Sequence, residues 1–407
     1  MLTVVIVLGL ASISSAVDVE IRAQSTAISS DNINRSLNGF ETEGFLLTLE
    51  SDVTISGEVG LWDWDLVVGG GWESLDTGEA ADDVNSRILA SARTPWLNTG
   101  YVKGSAGLSD AIEEPESTSI TQERIRTRMG QVSIEAGMQT SPAFSWRALA
   151  GNRREVRPDR DLDESRGEIG WTVRLDPISS LIIETGFNSG TDDFDENSWT
   201  GSSVSLDFRK KENRFSTSGY KLLWEEQNLK QPVGPSGRSE LMSALYYYDM
   251  EGPTGWFFSS DLGLDGIKGP LDDMRWETHI MLTLSSAPGT RFRLNTSLSS
   301  ISTIPDPFDD ERIAWTRDNR ARAGLAWSVT RLYTIEPVVL FRLLELSGNG
   351  IANRTDETVL LRVETRWVLA NSWSIELNAH TEDRTSSQES NDFYENRVEM
   401  SISGTFL

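Results

Sequence analysis

Alternation of apolar and polar residues with a period of two recurs along much of this chain. In Met274–Ser285, Trp276 and Leu284 fall on one face of the segment. Arg275 and Glu277 fall on the other face. Successive side chains of a β-strand point to opposite sides, so this pattern predicts strands and an all-β protein. The same pattern occurs in Gly167–Asp176, Arg291–Ser299, Arg320–Thr330, Leu360–Ala370 and Trp373–His380.

Two kinds of protein contain such half-apolar strands. In a soluble sandwich the apolar face points into a core and the polar face points into water. In a membrane barrel the apolar face meets lipid and the polar face encloses a hydrated lumen. Segments of about ten residues, the length with which a tilted strand crosses a bilayer, recur without a Pro- or Ser-rich linker. A single transmembrane antiparallel up-and-down β-barrel therefore accounts for the 407 residues better than several sandwich domains.

Tryptophans and connections favour the same interpretation. Trp concentrates at membrane interfaces because its ring is apolar while its N–H needs a partner. The candidates for an aromatic girdle, each near one end of a strand, are Trp171, Trp276, Trp327, Trp367 and Trp373. Short turns alternate with long acidic segments such as Asn152–Ser165 and Thr303–Asn319, as in outer-membrane barrels. The pattern predicts about 16 to 18 strands.

Composition argues against several classes of function. The chain has no cysteine and only two histidines, His279 and His380, so thiolate and multi-histidine metal sites are not expected. A formal net charge of −25 disfavours nucleic acid as a partner. Among 62 acidic residues no carboxylate pair stands out as a glycosidase site, and we find no nucleophile elbow or phosphate loop. We expect no enzyme activity, no cofactor and no bound metal.

The first segment, Met1–Ala16, predicts export. An apolar run is followed by Ser14 and Ala16, which occupy the −3 and −1 positions of a small-residue cleavage site. Residues 1–16 are therefore interpreted as a signal peptide and residues 17–407 as the barrel. Because no Lys or Arg precedes the apolar run, a first buried strand is the alternative. An exported chain without a spanning helix is periplasmic, secreted or a closed barrel.

The last segment, Asn396–Leu407, carries a family resemblance. Val398, Met400, Ile402 and Phe406 share one face of this segment. It resembles the closing strand of porin-like, Gram-negative outer-membrane β-barrels, which ends in an aromatic residue recognised by the barrel-insertion machinery. The resemblance makes Phe406, here penultimate rather than last, the candidate insertion signal and that machinery a partner.

A second resemblance lies near the other end of the chain. Residues 30–34 (SDNIN) and 43–49 (EGFLLTL) look like the opening of outer-membrane barrels associated with exopolysaccharide and exosortase loci. This resemblance covers about twenty residues. It implies a role beside a polysaccharide export system.

Arginines on the polar faces are the candidate functional residues. Arg124, Arg126 and Arg128 share one strand face, about 7 Å apart. Facing a lumen, they would pair with carboxylate, sulfate or phosphate groups. The alternative is a wall whose arginines are neutralised by Asp and Glu on neighbouring strands. The other candidates for lining the lumen are Arg291, Arg293, Arg320, Arg322, Arg362, Glu364 and Arg366.

The sequence therefore favours a pore or conduit in the cell outer membrane for small polar solutes or a glycan chain. A barrel of this size can leave an aqueous channel. A structural or accessory barrel of a polysaccharide export system is the second hypothesis, and a secreted soluble glycan-binding β-protein is the third. Expected partners are outer-membrane lipid and lipopolysaccharide. A homotrimer is the candidate assembly, since porin-type barrels often form trimers.

Overall fold

The fold is described from a computed structural model of the chain. Its described residues are 17–31, 43–76, 81–97, 99–113, 125–158, 160–193, 196–230, 237–252, 254–269, 273–286, 291–304, 313–348, 353–370, 373–388 and 392–406. The segment Met1–Ala16 and the residue Arg124 lie outside them. Among the described residues, no helix is long and apolar enough to cross a membrane.

Twenty antiparallel strands form one sheet in the described part of the chain. They are β1 Val17–Ser30, β2 Gly44–Val59, β3 Trp62–Asp76, β4 Ala81–Trp96, β5 Gly100–Glu113, β6 Ile125–Ser141, β7 Phe144–Arg157, β8 Arg160–Arg174, β9 Ser179–Asp192, β10 Asn197–Asn213, β11 Ser216–Lys230, β12 Gly237–Glu251, β13 Phe257–Lys268, β14 Arg275–Ser285, β15 Phe292–Thr303, β16 Ile313–Ser328, β17 Tyr333–Gly348, β18 Arg354–Ala370, β19 Trp373–Ser386 and β20 Phe393–Phe406.

Each strand pairs with its neighbour in sequence, and β1 pairs with β20, which closes the sheet into a barrel. The closing ladder runs from Ile21 opposite Phe406 to Ser30 opposite Arg397. The predicted all-β, up-and-down barrel is thus confirmed.

The barrel has 20 strands rather than the 16 to 18 that the sequence predicts, and polar segments interpreted as long loops are in part the ends of strands. Within Asn152–Ser165, for example, Asn152 pairs with Ser165 and Arg157 pairs with Arg160 across the β7–β8 hairpin. Polar residues can continue an antiparallel ladder beyond the bilayer, where water solvates both of its faces.

The two faces of the wall differ as the period-two pattern predicts. On β18, Leu361, Val363 and Trp367 are exposed and share one face. Arg362 and Glu364 lie on the opposite face. The same division continues around the barrel, so that large apolar side chains cover the outside and charged side chains enclose the lumen. This arrangement is that of a barrel in lipid rather than of two stacked sheets around a dry core.

All five predicted girdle tryptophans lie on the outer face. Trp276, Trp327 and Trp367 are exposed, and Trp171 and Trp373 share their strand faces with the exposed Ile169 and Leu377. Four of the five stand at the end of the barrel where the turns are short. Trp276 stands at the other end, beside the connection from β13. Aromatic residues near the ends of an apolar belt are typical of the membrane interfaces of outer-membrane barrels.

Ring pairs strengthen the row at the short-turn end. The ring centroids of Phe292 and Trp327 are 6.0 Å apart, and those of Tyr333 and Trp367 are 6.1 Å apart. Both pairs join directly opposed residues of neighbouring strands. Cross-strand aromatic pairs of this kind help to fix strand register.

The short turns are stabilised locally. In the β8–β9 turn, Asp176 Oδ1 accepts hydrogen bonds from the backbone N–H groups of Ile178 and Ser179, both at 2.8 Å. The N–H of Ile178, followed by contacts with Ser179, holds the pKa of Asp176 below its ordinary value. A side chain that closes its own turn in this way needs no long connection.

Arginine substitutions separate the two faces of the wall. Leu361→Arg puts a charge into lipid and is expected to lower the free energy of unfolding by about 2–4 kcal/mol. Asn378→Arg, on the lumen face between Glu364 and Glu399, is expected to cost much less. Urea titration of the barrel in lipid vesicles measures both. Equal costs would contradict the assignment of Leu361 to the lipid side and Asn378 to the lumen side.

Candidate functional site: the lumen wall

Six of the predicted lumen residues lie together on one part of the inner wall. Strand phase places them opposite the exposed apolar positions Leu294, Leu325 and Leu361. We call this part of the wall the arginine wall. Its members are Arg293 on β15, Arg320 and Arg322 on β16, and Arg362, Glu364 and Arg366 on β18.

Part of the arginine wall is neutralised by carboxylates. Asp318 pairs with both Arg320 and Arg342, with Arg342 Nη2 at 2.7 Å from Asp318 Oδ2. Arg362 Nη2 lies 2.5 Å from Glu364 Oε1. One carboxylate is thus shared by two guanidiniums at Asp318. The neutralised-wall alternative therefore describes only part of the site.

Two guanidiniums of this wall have no carboxylate within ion-pair distance among the described residues. They belong to Arg293 and Arg322 on adjacent strands. Arg322 lies opposite Ser297, four residues along β15 from Arg293. Four residues of strand span about 13 Å. An arginine that faces a hydrated lumen without a carboxylate can bind an anion as it passes.

The other predicted lumen arginines are placed differently. Arg126 and Arg128 share a face of β6 with the exposed Val132 and Ile134, so they lie on the outer face of the wall. Their predicted lumen position is corrected, because the alternation of β6 puts Thr127 inside. Both arginines pair with Asp110, Arg126 at 2.7 Å and Arg128 at 3.2 Å.

Arg291 is also corrected, because it precedes β15 at the short-turn rim rather than lying in the wall. Its backbone oxygen accepts a hydrogen bond from Ser328 at 2.8 Å.

The part of the β15–β16 hairpin next to its long connection covers the inner faces of β12–β14. The ladder between β14 and β15 ends where Ile280 faces Ser300, although both strands continue beyond this pair. Beyond it, residues 300–304 and 315–317 lie against the lumen side of β12–β14. We call these residues the inward hairpin. Such an element narrows the lumen.

Polar contacts hold the inward hairpin in place. The backbone N–H of Ser302 donates to Asp265 Oδ2 at 3.1 Å. Asp265 is fully buried and also accepts from Ser243 Oγ at 2.6 Å. His279 Nδ1 lies 3.0 Å from the same carboxylate. Arg317 Nη1 pairs with Glu277 Oε2 at 2.5 Å.

An apolar contact adds to these polar contacts. Ile304 and Trp315 of the inward hairpin form a buried cluster with Leu241 and Ile267, whose side chains come from the inner wall, and Leu223 packs against it. Burying a large apolar side chain contributes about 1.5–3 kcal/mol. The inward hairpin is therefore anchored.

A cavity of about 550 Å³ lies between Ile304 and the wall formed by β7–β11. Arg166, Glu168, Glu184 and Lys221 are among the residues that line it. Charges of both signs face this space, which suits a hydrated passage for polar solutes.

Sequence reasoning missed the inward hairpin. The segment Thr303–Asn319 reads as a long acidic loop, and Ile304 and Trp315 are the only signals that part of it packs against protein. The partner residues Leu223, Leu241 and Ile267 lie some distance away in sequence. Their positions give no indication of the contact before the strand order is known.

The wall and lumen define a transmembrane β-barrel of the Gram-negative outer-membrane type. No family model and no curated protein matches the chain. Similar solved structures include the FrpB iron transporter from Neisseria meningitidis (F3-3 variant), with a TM-score of 0.61 and 9% identity over 98% of this chain and 82% of that chain.

Two structures from Pseudomonas aeruginosa are also similar. The siderophore receptor PirA has a TM-score of 0.51 and 9% identity, covering 95% of this chain and 80% of that chain. The outer membrane protein OpdK has a TM-score of 0.51 and 10% identity, covering 96% of this chain and 99% of that chain. The chain thus has the fold of outer-membrane transporters and pores, and the predicted outer-membrane location is confirmed at the level of the fold.

Removing the carboxylate of Asp265 tests whether it holds the inward hairpin against the wall. In Asp265→Ala the amide of Ser302 loses its acceptor, and its hydrogen exchange is expected to accelerate about 10-fold or more. Asp261→Ala removes another carboxylate of β13, which forms no hydrogen bond or ion pair with the inward hairpin in the described part of the chain. Exchange measured by mass spectrometry on peptides covering residues 300–304 should change only in the first variant. Unchanged exchange in Asp265→Ala would refute the role of Asp265 in holding the inward hairpin.

Proposed function

We propose that this protein is a channel for small polar solutes that carry an anionic group. The observation that carries the proposal is the pair Arg293 and Arg322, which face the lumen with no carboxylate partner among the described residues. Arg320, which pairs with Asp318, lies two residues along β16 from Arg322. Guanidinium groups pair with carboxylate and phosphate in a bidentate geometry.

The inward hairpin favours small solutes over a glycan chain. It lies across the inner faces of β12–β14 and is held there by both Asp265 and an apolar cluster. A polymer would need an uninterrupted passage, whereas a small solute can pass beside an anchored constriction. The conduit for a glycan chain and the accessory barrel of an export system therefore rank behind the small-solute channel.

The soluble glycan-binding alternative receives no support from the wall. Such a protein would bury Leu325 and Trp367 between sheets, whereas both are exposed on the outside. Lipid is the partner that this apolar surface suits.

Lipopolysaccharide is the partner that we propose for the outer arginines. Arg126 and Arg128 stand near the long-connection end of β6, where Arg126 pairs with Asp83 and Asp110 and Arg128 pairs with Asp110. The insertion role of Phe406 and a homotrimeric assembly remain predictions.

Ion selectivity in planar bilayers tests the channel. Under a salt gradient, the wild-type protein is expected to conduct with a preference for anions over cations. Replacing Arg293 and Arg322 by Ala removes two positive charges from the lumen wall. The anion-to-cation permeability ratio should fall at least twofold, because fixed positive charge on a channel wall concentrates anions.

Arg128→Ala is the matched control, because it removes the same charge from the outer face. It should leave the permeability ratio unchanged. A wild-type barrel that never conducts would support the accessory-barrel alternative. Cation preference that is unaffected by the lumen variants would refute the anion-binding role of the arginine wall.

A further inference from the structure

Three side chains able to bind a metal converge on the lumen faces of β19 and β20. His380 and Glu382 are two residues apart on β19, so both point into the lumen. Glu395 on β20 lies directly opposite Glu382. One ligand atom from each of the three residues lies within 4.8 Å of the other two.

The imidazole of His380 has a nitrogen available for a ligand bond. Its side chain is only 12% exposed, and Nε2 has no hydrogen-bond partner in the described part of the chain. The nearest carboxylate oxygen, Glu395 Oε2, is 3.7 Å away, which is too long for a hydrogen bond. Two ligands of one tetrahedral zinc ion stand about 3.4 Å apart. The gap between His380 and Glu395 is therefore close to that of two ligands sharing an ion.

The surrounding charges allow a divalent cation at this place. Arg362 and Arg397 are the cross-strand neighbours of His380. Arg362 pairs with Glu364 at 2.5 Å, and Arg397 Nη2 lies 3.5 Å from Glu399. Each arginine thus has a carboxylate partner outside the cluster.

A second layer of contacts orients the cluster. Ser30 Oγ donates to Glu395 Oε1 at 2.8 Å, which leaves the other oxygen directed toward His380. Hydrogen bonds of this kind fix the ligands of protein metal sites. His380 and Ser30 are also among the residues that line a cavity of about 970 Å³.

We propose that His380, Glu382 and Glu395 bind one divalent first-row transition-metal ion on the lumen wall. One imidazole nitrogen and two carboxylate oxygens suit Zn²⁺, and water would complete its coordination. Because Ser30 belongs to β1 and Glu395 to β20, the ion would stabilise the wall beside the ladder that closes the barrel. No sequence pattern predicts this site, since the ligands are a lone histidine and two of many acidic residues.

The other histidine provides a control within the same chain. His279 also faces the lumen and contacts a buried carboxylate, Asp265, at 3.0 Å. Asp265 accepts hydrogen bonds from Ser243 and from the backbone of Ser302. Among the described residues, only the cluster at His380 brings three potential ligands together.

Direct metal binding tests the proposal without any channel measurement. The full-length barrel is purified in detergent, stripped with a chelator and titrated with Zn²⁺ against a colorimetric chelator, in excess Mg²⁺ to occupy carboxylate-only sites. We expect one tight Zn²⁺ site in the wild-type protein. His380→Ala and Glu382→Gln should each weaken it at least about 10-fold, the loss seen even for residues that only support metal ligands. His279→Gln should bind like the wild-type protein.

Thermal unfolding provides a second readout, because an ion that binds only the folded barrel raises its stability. Zn²⁺ should raise the temperature at which the wild-type barrel loses its heat-modifiable gel migration, and should not do so in His380→Ala. The same assay without Zn²⁺ shows whether the variant is folded. Equal Zn²⁺ affinity in the wild-type protein and folded His380→Ala, or equal loss in His279→Gln, would overturn the proposal.

Discussion

Closure of the sheet is the constraint on which the rest of this structure depends. In the hydrocarbon of a bilayer, backbone N–H and C=O groups find no water, so every strand needs a partner on both sides. The ladder between β1 and β20 meets that requirement at the ends of the chain. Just beyond the Ser30–Arg397 end of this ladder, Asn396 donates from its backbone and side chain to Asp31, at 2.6 and 2.7 Å. Once the sheet is closed, one face of every strand must meet lipid and the other must enclose the lumen.

The fold class could be predicted from the sequence because that requirement leaves a simple trace. Each crossing strand alternates, and the outer positions carry residues such as Leu361 and Trp367. Strand number was harder to predict, because the ladders continue past the membrane through polar residues like Asn152 and Ser165. Hydrophobicity no longer distinguishes strand from loop there. Pairing with a neighbour decides, and one sequence does not show it.

The candidate site was predictable only where phase could be counted from a clear strand. Arg322 and Arg362 follow apolar neighbours on well-defined strands, and their lumen position agrees with the sequence analysis. Arg126 lies near the start of β6, where the arginines alternate with Ile125, Thr127 and Met129, so its phase could not be fixed until Val132 and Ile134 were seen outside. The arrangement of the inward hairpin and the cluster at His380 depends on contacts between distant strands, which composition and spacing do not report.

The early end of the ladder between β14 and β15 has a mechanical consequence. Every other pair of neighbouring strands in the described part of the chain has a longer ladder, whereas this ladder runs only from Ile280 to Ser285 on β14. Under a pulling force applied across the wall, the cylinder should tear first along this line. The carboxylate of Asp265, which accepts a hydrogen bond from the backbone N–H of Ser302, then holds β15 to β13 beyond the end of this ladder.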